Sequence, residues 1–113
     1  MTVKPVRDDQ PTIVVGLMSG TSLDGVTAVV VRFDRSAAAQ HLSSELLSFV
    51  HRPFTHDERS RIERGMGQGT AQEYCRLHVD MGHWLADAAL QALAETNVPR
   101  AEVACIASHG QTL

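Results

Sequence analysis

The chain has 113 residues, 43% of them hydrophobic, and a net charge of -3 with a pI near 6.0. That is enough for one core but too little for two domains around a cleft, and the scattered Lys and Arg residues form no basic stripe for nucleic acid. No apolar run nears the roughly 18 residues of a membrane span, and residues 1–10 lack the apolar centre of a secretory signal, so a cytoplasmic location is expected.

Two β-branched runs come first, Thr12-Ile-Val-Val-Gly-Leu17 and Val26-Thr-Ala-Val-Val-Val-Arg-Phe33, predicted as the strands of a hairpin. Across their junction runs Gly16-Leu-Met-Ser-Gly-Thr-Ser-Leu-Asp-Gly25. Its glycines let the backbone approach a ligand closely, and successive N–H groups in such a turn form an anion nest. A Gly-x-x-x-x-Gly-Lys-Ser/Thr loop needs a lysine, yet no Lys or Arg occurs from Val14 to Val31. Phosphate charge then falls to backbone amides, to the hydroxyls of Ser19, Thr21 and Ser22, and to a metal ion with Asp24 on its side through water. One carboxylate suffices, because Mg²⁺ usually takes only one or two along with substrate phosphates. The plain alternative is a tight hairpin whose glycines and Asp24 only satisfy turn geometry. A nucleophile-elbow reading of Gly20-Thr-Ser-Leu-Asp24 fails, since Asp24 replaces the second glycine and a strand follows where a helix is needed.

The third predicted strand is Glu45-Leu-Leu-Ser-Phe-Val-His51, reached through a soft segment at residues 34–43 to give a three-strand meander. Thr55 and Glu58 stand at capping-box spacing for a short helix to about Met66. Its one apolar anchor, Ile62, places it on the surface. Gly65, Gly67 and Gly69 have the wrong spacing for a dinucleotide loop and read as an inter-helix joint. Thr70 and Glu73 repeat the capping box, and Tyr74, Met81, Leu85, Ala88, Ala89, Ala92 and Leu93 recur at helical steps until Asn97 and Pro99. Val103-Ala-Cys-Ile-Ala107 then reads as a short buried strand, parallel to its neighbour after the helical crossover. Cys75 and Cys105 form no CxxC pair and are expected to be reduced, partly buried thiols. Of six histidines, His78 and His83 are five apart on different helix faces. Only His109, following an apolar strand and beside Gly110, has a ligand-facing setting.

Residues 16–26, Gly-Leu-Met-Ser-Gly-Thr-Ser-Leu-Asp-Gly-Val, resemble the N-terminal signature of the anhydro-N-acetylmuramic acid kinases, and Ala107-Ser-His-Gly-Gln-Thr112 is similar to their second signature. Leu77-His-Val-Asp-Met-Gly-His-Trp-Leu-Ala86 resembles, more loosely, the helix between them. The resemblance covers about Ile13 to Leu113. It implies an α/β fold, a ribonuclease H-like half-domain of the sugar kinase and actin-like ATPase superfamily with a three-strand meander, helices and a further strand. Residues 1–113 are then a single incomplete domain, the N-terminal nucleotide-binding part of a longer two-domain kinase. The resemblance implies ATP and Mg²⁺ at Gly20, Thr21, Ser22, Leu23, Asp24, Gly25, Val26 and Thr27, with Asp24 on the metal side, and an amino sugar at Ser108, His109, Gly110 and Gln111. Topology should bring these two groups to one sheet edge. The catalytic base belongs to a later Asp-Thr-Gly-Pro-Gly-Asn-like segment beyond Leu113, and a homodimer is expected for the intact enzyme. Thr27 departs from the family pattern, in which an acidic residue is usual. The rival expectations are a nucleotide-binding or regulatory module without chemistry and a purely structural fragment.

Overall fold

The computed structural model describes residues 10–20, 22–36 and 41–113. Thr21 therefore lies outside the described residues, as do residues 37–40. Strands β1 (Thr12–Met18), β2 (Gly25–Ser36) and β3 (His41–Pro53) form an antiparallel meander. Helices α1 (His56–Gly67) and α2 (Ala71–Ala94) and a 3₁₀ turn (Arg100–Glu102) lead to β4 (Val103–Ser108), which pairs parallel to β1. The sheet order is β3-β2-β1-β4. Among the described residues no helix is long and apolar enough to cross a membrane.

Alternation builds the core. Ile13, Val15 and Leu17 on β1 and Val26, Ala28 and Val30 on β2 turn to one face, where Ala88, Ala89 and Ala92 of α2 cover them. Alanines at that contact let the helix backbone come close to the sheet. Ser48 of β3, buried on the same face, donates its hydroxyl to the Ala92 carbonyl at 2.7 Å, so its polar atom is satisfied. A second cluster lies between the helices and the β1–β2 turn: Leu23, Ile62, Leu77, Met81 and Trp84, with Phe54 against it. Phe54 meets Trp84 edge to face at 5.9 Å between ring centroids. Arg61 sits 5.5 Å above the Trp84 ring and pairs with Asp80 at 2.7 Å.

The meander, the helical excursion and the parallel fourth strand agree with the sequence reading, and the details depart from it for physical reasons. Ile62 is fully buried although the other faces of α1 meet solvent. The Thr55 capping box closes in both directions, whereas at Thr70 only the Glu73 N–H bonds back to the cap. There the Glu73 carboxylate instead takes the Thr70 hydroxyl at 3.4 Å. On α2, Leu77 and Trp84 are buried and Tyr74 is exposed, because the first half of the helix faces α1 and the turn while the second half faces the sheet. Residues 34–36 and 41–43, read as soft, pair with one another as a two-stranded arm past Thr12, with Arg32 and Glu45 joined at 2.7 Å. Backbone pairing in a ladder satisfies N–H and C=O groups whatever the side chains are. Residues 105–108 of β4 are exposed, against the buried strand that the sequence predicts, because α2 lies over β1, β2 and β3 and leaves β4, at the far edge of the sheet, uncovered. Cys75 and Cys105 are both exposed free thiols, where partial burial was expected.

Candidate functional site

The C-terminal ends of β1, β3 and β4 and the start of β2 share one edge of the sheet, and the β1–β2 turn crosses it. Strand parity sets which side chains of the turn face inward. Residues 13, 15 and 17 face the helix, and Ser19 continues that parity past Met18, 1% exposed, donating its hydroxyl to Gln111 Oε1. The Gly20 carbonyl accepts the Leu23 N–H at 3.2 Å and tightens the turn. Leu23 adopts the left-handed region at φ 57° and drives its side chain into the second cluster. A non-glycine residue there costs roughly 1–2 kcal/mol, which burial of a leucine side chain, about 1.5–3 kcal/mol, offsets.

Fastening continues on the far side of the turn. The Asp24 carbonyl accepts the Phe54 N–H at 3.0 Å. A Cβ on Gly25 would overlap the Arg52 carbonyl oxygen and lie 2.7 Å from Pro53 Cα, so only glycine fits. Phe54 is itself held by the β3–α1 corner. Arg52 grips the Glu58 carboxylate through two bonds of 3.0 Å, Glu58 Oε1 also accepts the Thr55 N–H at 3.0 Å, and the Glu58 N–H donates to Thr55 Oγ1 at 3.1 Å. Partial burial pushes the Glu58 carboxyl up, but the hydrogen bonds from Arg52 and Thr55 and the Arg52 charge outweigh it, leaving the carboxyl below its ordinary value.

With Ser19 and Leu23 turned inward, the turn presents Gly20, Ser22 and Asp24 outward. Asp24 is exposed and has no ion-pair or hydrogen-bond partner for its carboxylate among the described residues. Val26 is fully buried and Leu23 nearly so, which leaves only their backbone groups available to a ligand. Thr27 stands apart on the open face of the sheet, its hydroxyl 3.3 Å from His51 Nδ1 across the β2–β3 pair. It shares a shallow, mostly apolar cavity of about 450 Å³ with Met18, Val29, Ala107, Ser108 and His109.

Beside the turn, the His109 N–H donates to the Leu17 carbonyl at 3.1 Å and extends the β1–β4 ladder by one bond. Gly110 turns left-handed at φ 73°, and its N–H donates to Ser108 Oγ at 3.2 Å. The structure therefore brings Gly20, Ser22, Asp24 and Gly25 to the same edge as residues 108–111. Among the described residues no cluster of three or more His, Cys, Asp or Glu side chains can enclose a metal. A lone exposed carboxylate with hydroxyls nearby fits Mg²⁺ held mainly by water and phosphate oxygens, the usual habit of that ion.

Sequence reading missed three supports: Ser19 as an inward group, the Phe54 link and the Arg52–Glu58 clamp. Strand parity alone was enough to find the first. The other two depend on the β3–α1 corner and left no mark beyond the capping box.

An antiparallel meander, a helical crossover to a parallel fourth strand, and a glycine and hydroxyl turn at the shared strand ends define the opening half of a sugar kinase or actin-like ATPase domain. The family described as anhydro-N-acetylmuramic acid kinase matches residues 12–113, and the chain belongs to that family. It is 39% identical to the anhydro-N-acetylmuramic acid kinase of Xanthomonas campestris pv. campestris strain 8004, over 96% of this chain and 29% of the relative. It is 34% identical to that of Bacillus thuringiensis subsp. konkukian strain 97-27 and 33% identical to that of Bacillus cereus strain G9842, each over 88% of this chain and 26% of the relative. The chain thus spans 26–29% of the length of these relatives.

Proposed function

We propose that the chain is the phosphate-binding N-terminal part of an ATP-dependent kinase acting on 1,6-anhydro-N-acetylmuramic acid. The observation that carries this reading is the division of the β1–β2 turn. Ser19 and Leu23 are buried fasteners, while Gly20, Ser22 and Asp24 face outward at the edge where Ser108 and His109 emerge. Asp24 is left without a partner among the described residues on a backbone that is held at Ser19, Leu23 and Phe54, and that supports a ligand over a turn that only reverses the chain.

In the proposed reaction at full length, water adds to the anomeric carbon, the 1,6-anhydro bond breaks, and the freed 6-oxygen takes the γ-phosphoryl group. The products are N-acetylmuramic acid 6-phosphate and ADP, a step suited to cytoplasmic recycling of cell-wall sugars. Gly20, Thr21, Ser22 and Gly25 bind phosphate oxygens through backbone N–H groups and hydroxyls. Leu23 and Val26 contribute backbone only, and Thr27 lines the neighbouring open face. Asp24 would hold Mg²⁺ through water, and the ion would supply charge neutralisation at the phosphates. Phosphoryl transfer depends mainly on such positioning and charge stabilisation. Ser108, His109 and Gly110 line the sugar side. The base that activates water is assigned to the part of the relatives' length that this chain does not span. Small molecules are the partners, with neither nucleic acid nor membrane, and full-length copies pair as a homodimer.

The test is mass-spectrometric detection of sugar phosphate from Mg-ATP and 1,6-anhydro-N-acetylmuramic acid, using the gene product read past Leu113. Product supports the kinase. Mg-ATP binding without product supports a nucleotide-binding module instead, and neither supports a structural role.

A further inference from the structure

Ser19 and Gln111 lie 92 residues apart in sequence and meet at the site edge. The Ser19 hydroxyl, 1% exposed, donates to Gln111 Oε1, and Gln111 Nε2 donates to the Thr112 carbonyl at 3.1 Å. A hydroxyl donor on one side and a carbonyl acceptor on the other fix which way the amide points. Its oxygen thus accepts one bond and its nitrogen donates one of its two N–H groups within the fold, which sets the direction of the amide. Gly110 makes this possible: a Cβ there would meet nothing within 4 Å, so φ 73° is what calls for glycine, and that left-handed step follows the last bond to β1 at His109 and precedes Gln111. The phosphate turn is then held at both ends, by Gln111 at Ser19 and by the second core cluster at Leu23.

We infer that Ser19 and Gln111 form a latch joining the phosphate turn to the exit of β4, and that Gln111 is a positioning residue acting on nucleotide through Ser19 and not a contact to sugar. This inference rests on reading residues 19–25 as the phosphate site. Removing either partner leaves the other polar group poorly satisfied at the edge of the core, and the turn samples arrangements that do not bind. Apparent nucleotide affinity falls with the fraction of molecules still latched. Because ligands at the turn and at residues 108–109 both favour the latched arrangement, each tightens the other to the same degree.

The experiment compares wild type, Ser19→Ala, Gln111→Ala and the double variant in the full-length protein. Isothermal titration gives the affinity for Mg-ADP, and for the anhydro-sugar with and without Mg-ADP. Each single variant is expected to weaken Mg-ADP about 3- to 10-fold, and the double variant no more than the weaker single one, since the two side chains share one interaction. Sugar affinity without nucleotide falls by the same factor in Ser19→Ala and Gln111→Ala, since sugar also favours the latched arrangement, and its tightening by nucleotide disappears in all three variants. Additive losses overturn the latch, as does a sugar affinity without nucleotide that falls in Gln111→Ala but not in Ser19→Ala. If wild type binds no Mg-ADP, the phosphate reading falls, and hydrogen exchange on the same proteins judges the latch separately. Joint loss of amide protection at residues 20–24 and 109–111 in either single variant supports it; unchanged protection contradicts it.

Discussion

The molecule has two glycine-rich turns that look alike in composition and differ in what they leave outside. In the joint between α1 and α2, a Cβ on Gly69 would lie 2.8 Å from the Tyr74 ring, whose hydroxyl donates to the Gly65 carbonyl at 2.6 Å. Those glycines make room for one tyrosine. In the β1–β2 turn the backbone is pinned by Gln111, Phe54 and the Leu23 side chain, yet Ser22 and Asp24 remain outward. Glycine content therefore marks close packing in both places. The joint also leaves polar side chains outside, Gln68 and Thr70, but residues 65–70 contain no carboxylate, whereas the β1–β2 turn has an exposed one without a partner among the described residues in Asp24.

The sharpest way to break that contrast is to add one methyl group to each turn. Gly25→Ala drives a Cβ into backbone of β3 and is expected to destabilise by on the order of 3 kcal/mol. Gly69→Ala meets a side chain that can swing away, and about 1 kcal/mol is expected; urea denaturation of the two variants measures the difference. Asp24→Asn tests the outward groups themselves. In the full-length protein it is expected to lower turnover about 100-fold or more while stability stays within about 0.5 kcal/mol, as steady-state kinetics and a melting curve will show. Tyr74→Phe is the matching change at the joint: loss of about 1 kcal/mol from one hydrogen bond, with Mg-ADP affinity unchanged by titration.

A smaller effect concerns the corner that supports the β1–β2 turn. Glu58 has a lower carboxyl value folded than unfolded, so over the acid range the unfolded chain binds more protons and stability rises with pH. The contribution of the Arg52 pair is complete above the ordinary carboxylate range and is lost as pH falls through the depressed folded value. Urea midpoints measured against pH should show a steeper acid limb for wild type than for Glu58→Gln, and identical limbs would remove the clamp from the account.

What was legible in the sequence was local. The β-branched runs at residues 12–17 and 26–33 and the Thr55 capping box act over a few residues, and strand and helix formed where they place them. What was not legible depends on partners far along the chain. Residues 34–36 and 41–43, mostly polar, became strand because they had each other, and β4 was left exposed because α2 covers other strands. The candidate site divides in the same way. Ser22 and Asp24 face outward as their types suggest, but the Ser19 hydroxyl, read with them as a phosphate group, is turned inward, because its bond to Gln111 needs the β1–β4 pairing to exist first.

The central claim is that the fastened β1–β2 turn binds the phosphates of a nucleotide. Amide resonances of the full-length protein, followed by NMR during Mg-ADP titration, test it most directly. Saturable shifts concentrated at Gly20, Ser22, Asp24 and Gly25, and absent at Gly65, Gly67 and Gly69, are the predicted result. Saturation of the protein with no movement in the β1–β2 turn would contradict it.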